Sequence, residues 1–123
     1  MSIDQIARDF TKAVIDDDAD AYQAFWSDDI VSLEPPSDSP MARVEGRDAL
    51  LQKHQWWFDN AEVHSTTAEG PYVFGDQFAV RYGMDVTMTN EAGEKERSQM
   101  DEVGLYTVRD GKIVEERFFY GQE

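Results

Sequence analysis

The spacing of the hydrophobic residues changes near Val63, and this change limits the possible folds more than any other feature of the sequence. Before Val63, apolar residues recur every three or four positions, which is typical of amphipathic helices. After it, apolar and polar residues alternate, which is typical of strands with one buried face. Helices that precede a series of antiparallel strands predict an α+β fold, because an α/β fold would alternate the two element types along the chain.

The first half of the chain is predicted to contain three helices. Ser2 and Gln5 form a capping box, and apolar residues at helical spacing continue the first helix to Ile15. A second, short helix is predicted to begin near residues 18–20 and to stop at residues 27–29. The residues on its buried side are Tyr22, Phe25 and Trp26.

The third helix and the strands lie on either side of a proline-containing connection. Residues 30–33 are predicted as a short strand that ends before Pro35, because proline cannot donate a backbone hydrogen bond. Residues 35–45 are predicted as a loop, and a helix follows Gly46 and ends near Asn60. The last two strands are joined as a hairpin across an Asp-Gly turn. The later strands are predicted at residues 63–68, 72–74, 78–89, 97–109 and 112–120.

The charge and the cysteine content exclude several classes of function. The chain has 123 residues, with 26 acidic residues against 11 Lys and Arg, and its formal net charge is −15. Such a chain repels phosphate backbones and anionic lipids, so neither a nucleic acid nor a membrane is expected as a partner. The absence of cysteine excludes disulfides, thiolate nucleophiles and zinc–cysteine sites. The absence of cysteine and of a signal-peptide pattern predicts a cytoplasmic protein. The length predicts a single domain over residues 1–123.

Four segments, taken in their order and spacing, carry a resemblance to a known family. They are residues 10–20, residues 24–31 (Ala-Phe-Trp-Ser-Asp-Asp-Ile-Val), residues 46–50 (Gly-Arg-Asp-Ala-Leu) and residues 106–116 (Tyr-Thr-Val-Arg-Asp-Gly-Lys-Ile-Val-Glu-Glu). In these segments the chain resembles the NTF2-like superfamily, in particular its SnoaL-like and ketosteroid-isomerase-like members. The resemblance implies a cystatin-like cone, in which three N-terminal helices pack in a curved antiparallel sheet with a mixed edge.

The resemblance also implies that a catalytic member works inside the cone, with a carboxylate base near the end of the first strand. Glu34 holds that position, directly after the apolar residues 30–33 and before Pro35. An apolar pocket wall increases the proton affinity of a carboxylate, which suits proton abstraction. Glu34 is therefore the first candidate catalytic residue, and the alternative is a solvated glutamate in a loop.

His54 is the second candidate catalytic residue. Its spacing from Leu50 and Trp57 points it inward from the third helix. It is expected to act as a general acid or base, or to donate a hydrogen bond to a ligand. The alternative is a core histidine satisfied by one partner. His64 is expected at the surface, and the separation of ten residues between the two histidines predicts no metal site.

The last strand divides its side chains between two faces. Alternation places Val114, Glu116, Phe118 and Tyr120 on one face and Ile113, Glu115, Arg117 and Phe119 on the other. The resemblance implies that the face with Glu116 and Tyr120 lines the cavity. The same phase points Glu102 and Tyr106 inward on the neighbouring strand. The alternative is a charged sheet face held by cross-strand pairs.

Aromatic residues complete the predicted ligand-binding set. Besides Phe118, these are Phe10, Trp26 and Trp57. If the protein instead has no ligand, the same four side chains are expected to close the interior as a core.

Two positions depart from the ketosteroid-isomerase pattern. Phe10 stands where that pattern has the tyrosine of the oxyanion hole, and it carries no hydroxyl. Gly104 falls near the position of the pattern's protonated aspartate. Without these two donors an enolate would lack its main stabilisation, so steroid isomerisation is not expected.

The sequence therefore predicts a homodimer, associated through the outer sheet face, whose cone binds a small apolar molecule with a carbonyl or hydroxyl group. The expected chemistry is acid–base catalysis of an isomerase, cyclase or dehydratase type, with no cofactor and no metal. Glu34 would be the base, His54 the acid or the orienting group, and Tyr106 or Tyr120 a hydrogen-bond donor. A non-catalytic ligand-binding protein and a protein-interaction scaffold are the alternatives on the same fold.

Overall fold

The computed structural model of the protein describes residues 1–120, which form three α-helices and six β-strands. The helices are α1 (Ile3–Ile15), α2 (Ala19–Gln23) and α3 (Arg47–Asn60). The strands are β1 (Trp26–Leu33), β2 (Arg43–Glu45), β3 (Ala61–Phe74), β4 (Gln77–Thr89), β5 (Lys95–Arg109) and β6 (Lys112–Phe119).

All six strands belong to one sheet, in the order β2-β1-β6-β5-β4-β3. The strands from β3 to β6 follow one another as an antiparallel meander, and β2 pairs antiparallel with β1. The pair between β1 and β6 is parallel, so the sheet is mixed at this end. These features confirm the predicted α+β class, with helices ahead of a largely antiparallel sheet that has a mixed edge.

Helix α1 begins and ends where the sequence indicates. The Ser2 side chain accepts a hydrogen bond from the Gln5 amide at 3.2 Å, which satisfies one of the free donors of the first turn. Ile6, Ala7 and Phe10 are buried along one stripe of the helix. This stripe packs on the inner face of the sheet and supplies much of its apolar cover.

The second helix is shorter than predicted, and the first strand is longer. Helix α2 ends at Gln23, and β1 already begins at Trp26, which the sequence had placed on the helix. The reason is pairing with a distant strand: Trp26 lies opposite Ile113, whose amide donates to the carbonyl of Phe25 at 2.8 Å. Local helical spacing cannot reveal this contact, because the partner is almost ninety residues away.

The predicted loop over residues 35–45 contains two ordered elements. Pro40–Ala42 forms a single 3-10 turn, and Arg43–Glu45 forms strand β2 at the edge of the sheet. The amide of Glu34 donates to the carbonyl of Ala42 at 2.8 Å, so the connection returns to the end of β1. Gly46 joins β2 to α3 with a φ of 92°, a conformation that favours glycine.

Strand β3 replaces two predicted strands, at residues 63–68 and 72–74, with one long strand. Its pairing with β4 shifts register between Val63 and Ser65 and again between Glu69 and Tyr72. Such irregularities bend a strand while it stays in the sheet. The strand therefore curves around the helices, and the sequence pattern showed this bend only as a break.

The last hairpin is confirmed, but one face assignment on β6 is wrong. Asp110 and Gly111 both have positive φ, of 53° and 78°, as the two central residues of a tight hairpin turn require. Just after the turn, the register of β5 and β6 shifts by one residue, with Val114 as the extra residue on β6. This bulge turns Ile113 into the core instead of onto the outer face.

The centre of the core is a cluster of aromatic rings around Phe10. Its ring lies 4.9–6.4 Å, between ring centroids, from those of Tyr22, Phe25, Phe78 and Tyr106. Edge-to-face contacts of this kind add to the stabilisation that burial alone provides. Within residues 1–120, no helix is both long enough and apolar enough to cross a membrane.

Candidate functional site

A cavity of about 360 Å³ opens between α3, the connection after β1 and the inner face of β5 and β6. We call it the first cavity. Its apolar walls are formed by Trp56, Trp57, Met84, Met100 and Phe118. Its ionisable groups are Glu34, Lys53, His54, Glu102, Glu116 and Tyr120. An apolar enclosure with a few converging polar groups is typical of a small-molecule site.

A second cavity of about 410 Å³ adjoins the first and extends toward α1 and β3. The two cavities share His54, Trp57, Met84, Glu102, Glu116 and Phe118. Three predicted ligand-binding residues, Phe10, Trp26 and Tyr106, line only this second cavity. The predicted site residues are thus divided between two adjoining spaces rather than gathered in one.

Glu34 lies at the first cavity, immediately after β1. Its Oε1 atom is 2.9 Å from the Nζ atom of Lys53, and both side chains are largely removed from solvent, with 22% and 14% of their surface exposed. The contact is therefore a charge-assisted one that little solvent screens. Glu34 therefore lines the cavity next to a cation, Lys53, that the sequence pattern did not predict.

Glu116 lies deeper, on β6, and is 3% exposed. Its Oε2 atom accepts a hydrogen bond from the Ser32 hydroxyl at 2.7 Å, and the Ser32 oxygen accepts one from Lys53 Nζ at 3.0 Å. Burial raises the pKa of Glu116 to about 7, and the charge of Glu34 acts in the same direction. The hydrogen bond from Ser32 and the charge of Lys53 oppose this rise.

Glu102 projects from β5 into the space shared by both cavities. Within residues 1–120 its carboxyl group has no hydrogen bond and no ion pair. Burial, followed by the negative charges of Glu34 and Glu116, raises the pKa of Glu102 to about 7. At neutral pH the group is therefore present in both protonation states, and its protonated form can donate a hydrogen bond to a ligand.

His54 points inward from α3, as its helical spacing predicts, and it lies at both cavities. Its ring packs against Trp26, with 4.9 Å between centroids, and its Nδ1 atom is 3.4 Å from the Tyr22 hydroxyl. Burial, with a smaller contribution from Lys53, lowers the pKa of His54 to about 4. The ring is therefore neutral at neutral pH and suits hydrogen bonding rather than proton donation as a cation.

The two tyrosines proposed as donors occupy different surroundings. The Tyr106 hydroxyl is buried and lies 2.8 Å from the Tyr82 hydroxyl. Tyr120 lies at the opening of the first cavity, where burial and the charge of Glu34 raise its pKa to about 12. Both hydroxyls remain protonated at neutral pH and retain a hydrogen to donate.

The space near Gly104 explains one departure from the ketosteroid-isomerase pattern. A Cβ atom at this position would lie 2.7 Å from the Tyr106 hydroxyl and 2.9 Å from the ring carbon that carries it. An acidic side chain therefore does not fit here while Tyr106 keeps its place. Glu102, two residues earlier on the same face of β5, brings a carboxyl group into the cavity instead.

Ser32 and Lys53 were missed because each looked unremarkable in its segment. Alternation along β1 places Ser32 on the same face as Ile30 and Glu34, which is a usable signal. Lys53 lies three residues after the buried Leu50 and four before Trp57, so helical spacing also points it inward. In the part of the chain that the structure describes, no group of three His, Asp or Glu side chains is arranged to hold a metal ion.

Comparison with known families and structures agrees with this architecture. The family model described as the SnoaL-like domain matches residues 1–120. A crystal structure from Mesorhizobium loti, a suggested SnoaL-like polyketide cyclase whose name also carries the words carbohydrate phosphatase, is 52% identical to the chain. The match covers 98% of this chain and 100% of that one, with a TM-score of 0.86.

More distant structures share the fold alone. A protein of unknown function with a cystatin-like fold from Xanthomonas campestris is 18% identical, with a TM-score of 0.80 over 99% of this chain and 92% of its own. An NTF2-like protein of unknown function from Burkholderia pseudomallei is 16% identical, with a TM-score of 0.73 over 95% and 88% of the two chains. No curated protein matches the sequence. The chain belongs to the SnoaL-like domain family and has its cystatin-like, NTF2-like α+β fold.

Proposed function

We propose that the first cavity binds a small, largely apolar molecule with a carbonyl or hydroxyl group, and that Glu34 and Glu102 perform acid–base chemistry on it without a cofactor. The observation that supports this most directly is the contrast between the two carboxyl groups at one apolar cavity. Glu34 is held by an ammonium group, whereas Glu102 has no partner within residues 1–120. Two carboxyls in unlike surroundings are suited to the separate roles of base and acid.

The proposed step is proton abstraction next to a carbonyl group. Glu34, charged beside Lys53, takes the proton, and the electrons of the broken C–H bond move toward the carbonyl oxygen to form an enolate. Glu102 in its protonated form donates a hydrogen bond to that oxygen, where negative charge develops. Return of the proton to another carbon completes an isomerisation, and attack of the enolate on a second carbonyl completes a cyclisation.

His54 and the tyrosines are proposed to orient the ligand. A neutral imidazole next to the Tyr22 hydroxyl offers a donor or an acceptor according to its tautomer. Tyr120 lines the first cavity and Tyr106 the second, so each cavity has a tyrosine that the other lacks. This distribution favours a ligand with more than one polar group on an apolar body.

The suggested cyclase from Mesorhizobium loti supports the cyclase version of this proposal, since the match covers 98% of this chain at 52% identity. An intramolecular aldol closure begins with the same enolate that Glu34 and Glu102 are proposed to form and stabilise. Isomerisation and cyclisation therefore both require that the enolate is formed and stabilised.

Two probes test the proposal without knowledge of the natural ligand. Binding of 2-naphthol, a small apolar hydroxyl compound, is followed by its fluorescence. Catalysis is followed by the exchange of deuterium from D₂O into the carbons next to the carbonyl of 2-tetralone, measured by mass spectrometry. We expect saturable naphthol binding and exchange faster than in buffer. Naphthol binding without accelerated exchange would instead favour a non-catalytic ligand-binding protein.

We extend the proposal to a homodimer formed through the outer sheet face. Phe119 and Arg117 lie on this face of β6, and Phe119 is about half exposed. Light scattering after size-exclusion chromatography gives the mass in solution. We expect a dimer that Phe119→Asp weakens, and a monomeric wild-type protein would refute this extension.

A further inference from the structure

An unbroken series of polar contacts joins the opening of the first cavity to the buried part of the sheet. Lys53 Nζ lies 2.9 Å from Glu34 Oε1 and donates to Ser32 Oγ at 3.0 Å. Ser32 in turn donates to Glu116 Oε2 at 2.7 Å. Ser32 and Glu116 are direct partners in the parallel pairing of β1 with β6, so the backbone fixes this last contact.

The direction of these hydrogen bonds is set by the chemistry of Ser32. A serine hydroxyl has one hydrogen to donate, and Ser32 uses it on Glu116. Its oxygen is then left to accept from the ammonium group of Lys53. Among residues 1–120, Lys53 is the only lysine or arginine that lines either cavity, so both carboxyl groups depend on one cation.

We propose that Lys53 and Ser32 are positioning residues of the acid–base site, in which one ammonium group serves both Glu34 and Glu116 and couples proton uptake by the first to proton release by the second. The assignment of Glu34 as the base rests on the function proposed above. The coupling itself follows from the series of contacts and is present without a ligand.

The coupling keeps the charge of the site constant during a proton transfer. When Glu34 takes a proton from the ligand's carbon, its charge disappears and Lys53 loses its counter-ion. Glu102 keeps its hydrogen bond to the ligand's oxygen, and Glu116 transfers its own proton to that oxygen. This transfer restores a carboxylate that contacts the same ammonium group through Ser32. A ketone is thereby converted into its enol, with one proton gained by Glu34 and one lost by Glu116. No other reactant is needed.

The surroundings of Glu116 determine which changes should move its titration. The ionisable side chains that influence it or share its cavities are Asp17, Tyr22, Glu34, Lys53, His54, His64, Tyr82, Glu102, Tyr106 and Tyr120. Glu34 raises the pKa of Glu116, whereas Lys53 and the Ser32 hydrogen bond lower it. Removal of Glu34 and removal of Lys53 should therefore have opposite effects.

The test is a titration of Glu116 in the full chain without any ligand. Glutamate labelled with ¹³C at the side-chain carboxyl is followed by NMR, and Glu116→Gln assigns the signal. We expect the midpoint to fall in Glu34→Gln and to rise in Lys53→Met and Ser32→Ala, each by about one pH unit. Lys53→Arg should restore most of the wild-type value. Glu115→Gln, at a partly exposed position, and Lys112→Met, at an exposed one, serve as matched controls.

Two outcomes would overturn the coupling. The first is that the titration midpoint of Glu116 is unchanged in both Glu34→Gln and Ser32→Ala. The second is that the midpoint shifts in the same direction in these two variants. Lys53→Arg and Ser32→Ala are conservative, so the test does not depend on whether Lys53→Met folds. The titration uses no ligand, so it is independent of the proposed reaction. If the Glu116 midpoint shifts in opposite directions but 2-tetralone does not exchange, only the proposed reaction is refuted. If 2-tetralone exchanges but the midpoint does not shift, only the coupling is refuted.

The rate of 2-tetralone exchange is a second measurement, and a purely structural role of Ser32 would not change it separately from the affinity. Ser32→Ala leaves the cavity walls and both carboxyl groups in place, so 2-naphthol affinity should stay within about threefold of wild type. The rate of tetralone exchange at saturation should fall about tenfold or more. Equal losses of affinity and rate would contradict the positioning role.

Discussion

The carboxylate of Glu34 lies 2.9 Å from the ammonium group of Lys53 at the opening of the first cavity. This contact separates Glu34 from the other carboxyl groups nearby, because Glu102 has no such partner in the described residues and Glu116 reaches Lys53 only through Ser32. The three carboxyl groups of this cavity therefore differ in their contact with the one cation: direct for Glu34, through Ser32 for Glu116 and absent for Glu102 within residues 1–120.

Glu34→Gln should separate catalysis from binding. The amide keeps the shape of the side chain and can still accept a hydrogen bond from Lys53, but it cannot take a proton from carbon. We expect the exchange of 2-tetralone to slow by about 10²- to 10⁴-fold, which is the range for loss of a general base. Mass spectrometry measures the exchange, and fluorescence should show 2-naphthol affinity little changed.

The control for this substitution is Glu115→Gln, which makes the same change on the neighbouring strand at a partly exposed position. It should leave both readouts at wild-type values. If Glu34→Gln retained full exchange and full affinity, Glu34 would be a loop residue with no part in the chemistry.

The affinity for 2-naphthol should depend on the protonation of Glu102. The protonated carboxyl donates a hydrogen bond to the ligand's oxygen, and the pKa of about 7 places its loss near neutrality. Affinity is therefore expected to be highest below pH 7 and to fall as the pH rises through this value. Fluorescence titrations at a series of pH values, in which the naphthol itself stays neutral, measure the effect.

Glu102→Gln provides the decisive comparison for this pH dependence. The amide N–H can donate a hydrogen bond at every pH, so the variant should bind naphthol with little dependence on pH. Persistence of the wild-type profile in Glu102→Gln would assign the titration to another group.

The stability of the protein should also depend on the titration of Glu116. Its pKa is raised from 4.5 to about 7 in the folded state, so between these values the folded protein binds more protons than the unfolded chain. The contribution of Glu116 to the free energy of unfolding must then fall as the pH rises from 4.5 to 7 and level off above pH 7. The full difference is on the order of 3 kcal/mol for this one group.

His54 contributes with the opposite sign, so the comparison must be made between variants. Its pKa is lowered from 6.5 to about 4, and its contribution to stability therefore rises with pH between these values. Urea denaturation of wild type and of Glu116→Gln at several pH values isolates the Glu116 contribution as a difference. Between pH 5 and 7, the free energy of unfolding of Glu116→Gln should rise relative to that of the wild type. A constant difference would contradict the raised pKa of Glu116.

The fold was predictable where its determinants are local or periodic. The cap at Ser2, the alternation in the later strands and the Asp110–Gly111 turn all lie within a few residues of the element they define. The errors arose where a distant partner decides the structure. Trp26 joins the sheet because of Ile113, and Ile113 turns inward because of a bulge against β5.

The candidate site was predictable in part for the same reason. Periodicity alone placed His54 inward, and the family resemblance with strand phase placed Glu34, Glu102 and Glu116 at the cavity. Neither periodicity nor the resemblance could show which charged side chains contact each other. Lys53 and Glu34 form an ion pair although they lie nineteen residues apart in the sequence. Ser32 shows the same limit, because its importance lies in a hydrogen bond to a strand near the other end of the chain.

The paired hydroxyl groups of Tyr82 and Tyr106 allow a test of the inner part of the site. They lie 2.8 Å apart and both side chains are buried. Tyr106→Phe leaves the Tyr82 hydroxyl without its partner, and Tyr82→Phe does the reverse. Each substitution should lower the free energy of unfolding by about 1–2 kcal/mol, because a buried polar group loses its hydrogen bond.

The double variant Tyr82→Phe with Tyr106→Phe should lose less stability than the sum of the two single variants, because no unpaired hydroxyl remains. The difference from additivity should be about 1 kcal/mol, measured by urea denaturation as a double-mutant cycle. Tyr72→Phe, at an exposed position on β3, is the matched control and should change stability by less than about 0.5 kcal/mol. Strict additivity of the two core substitutions would show that the hydroxyl pair contributes no coupling to the folded state.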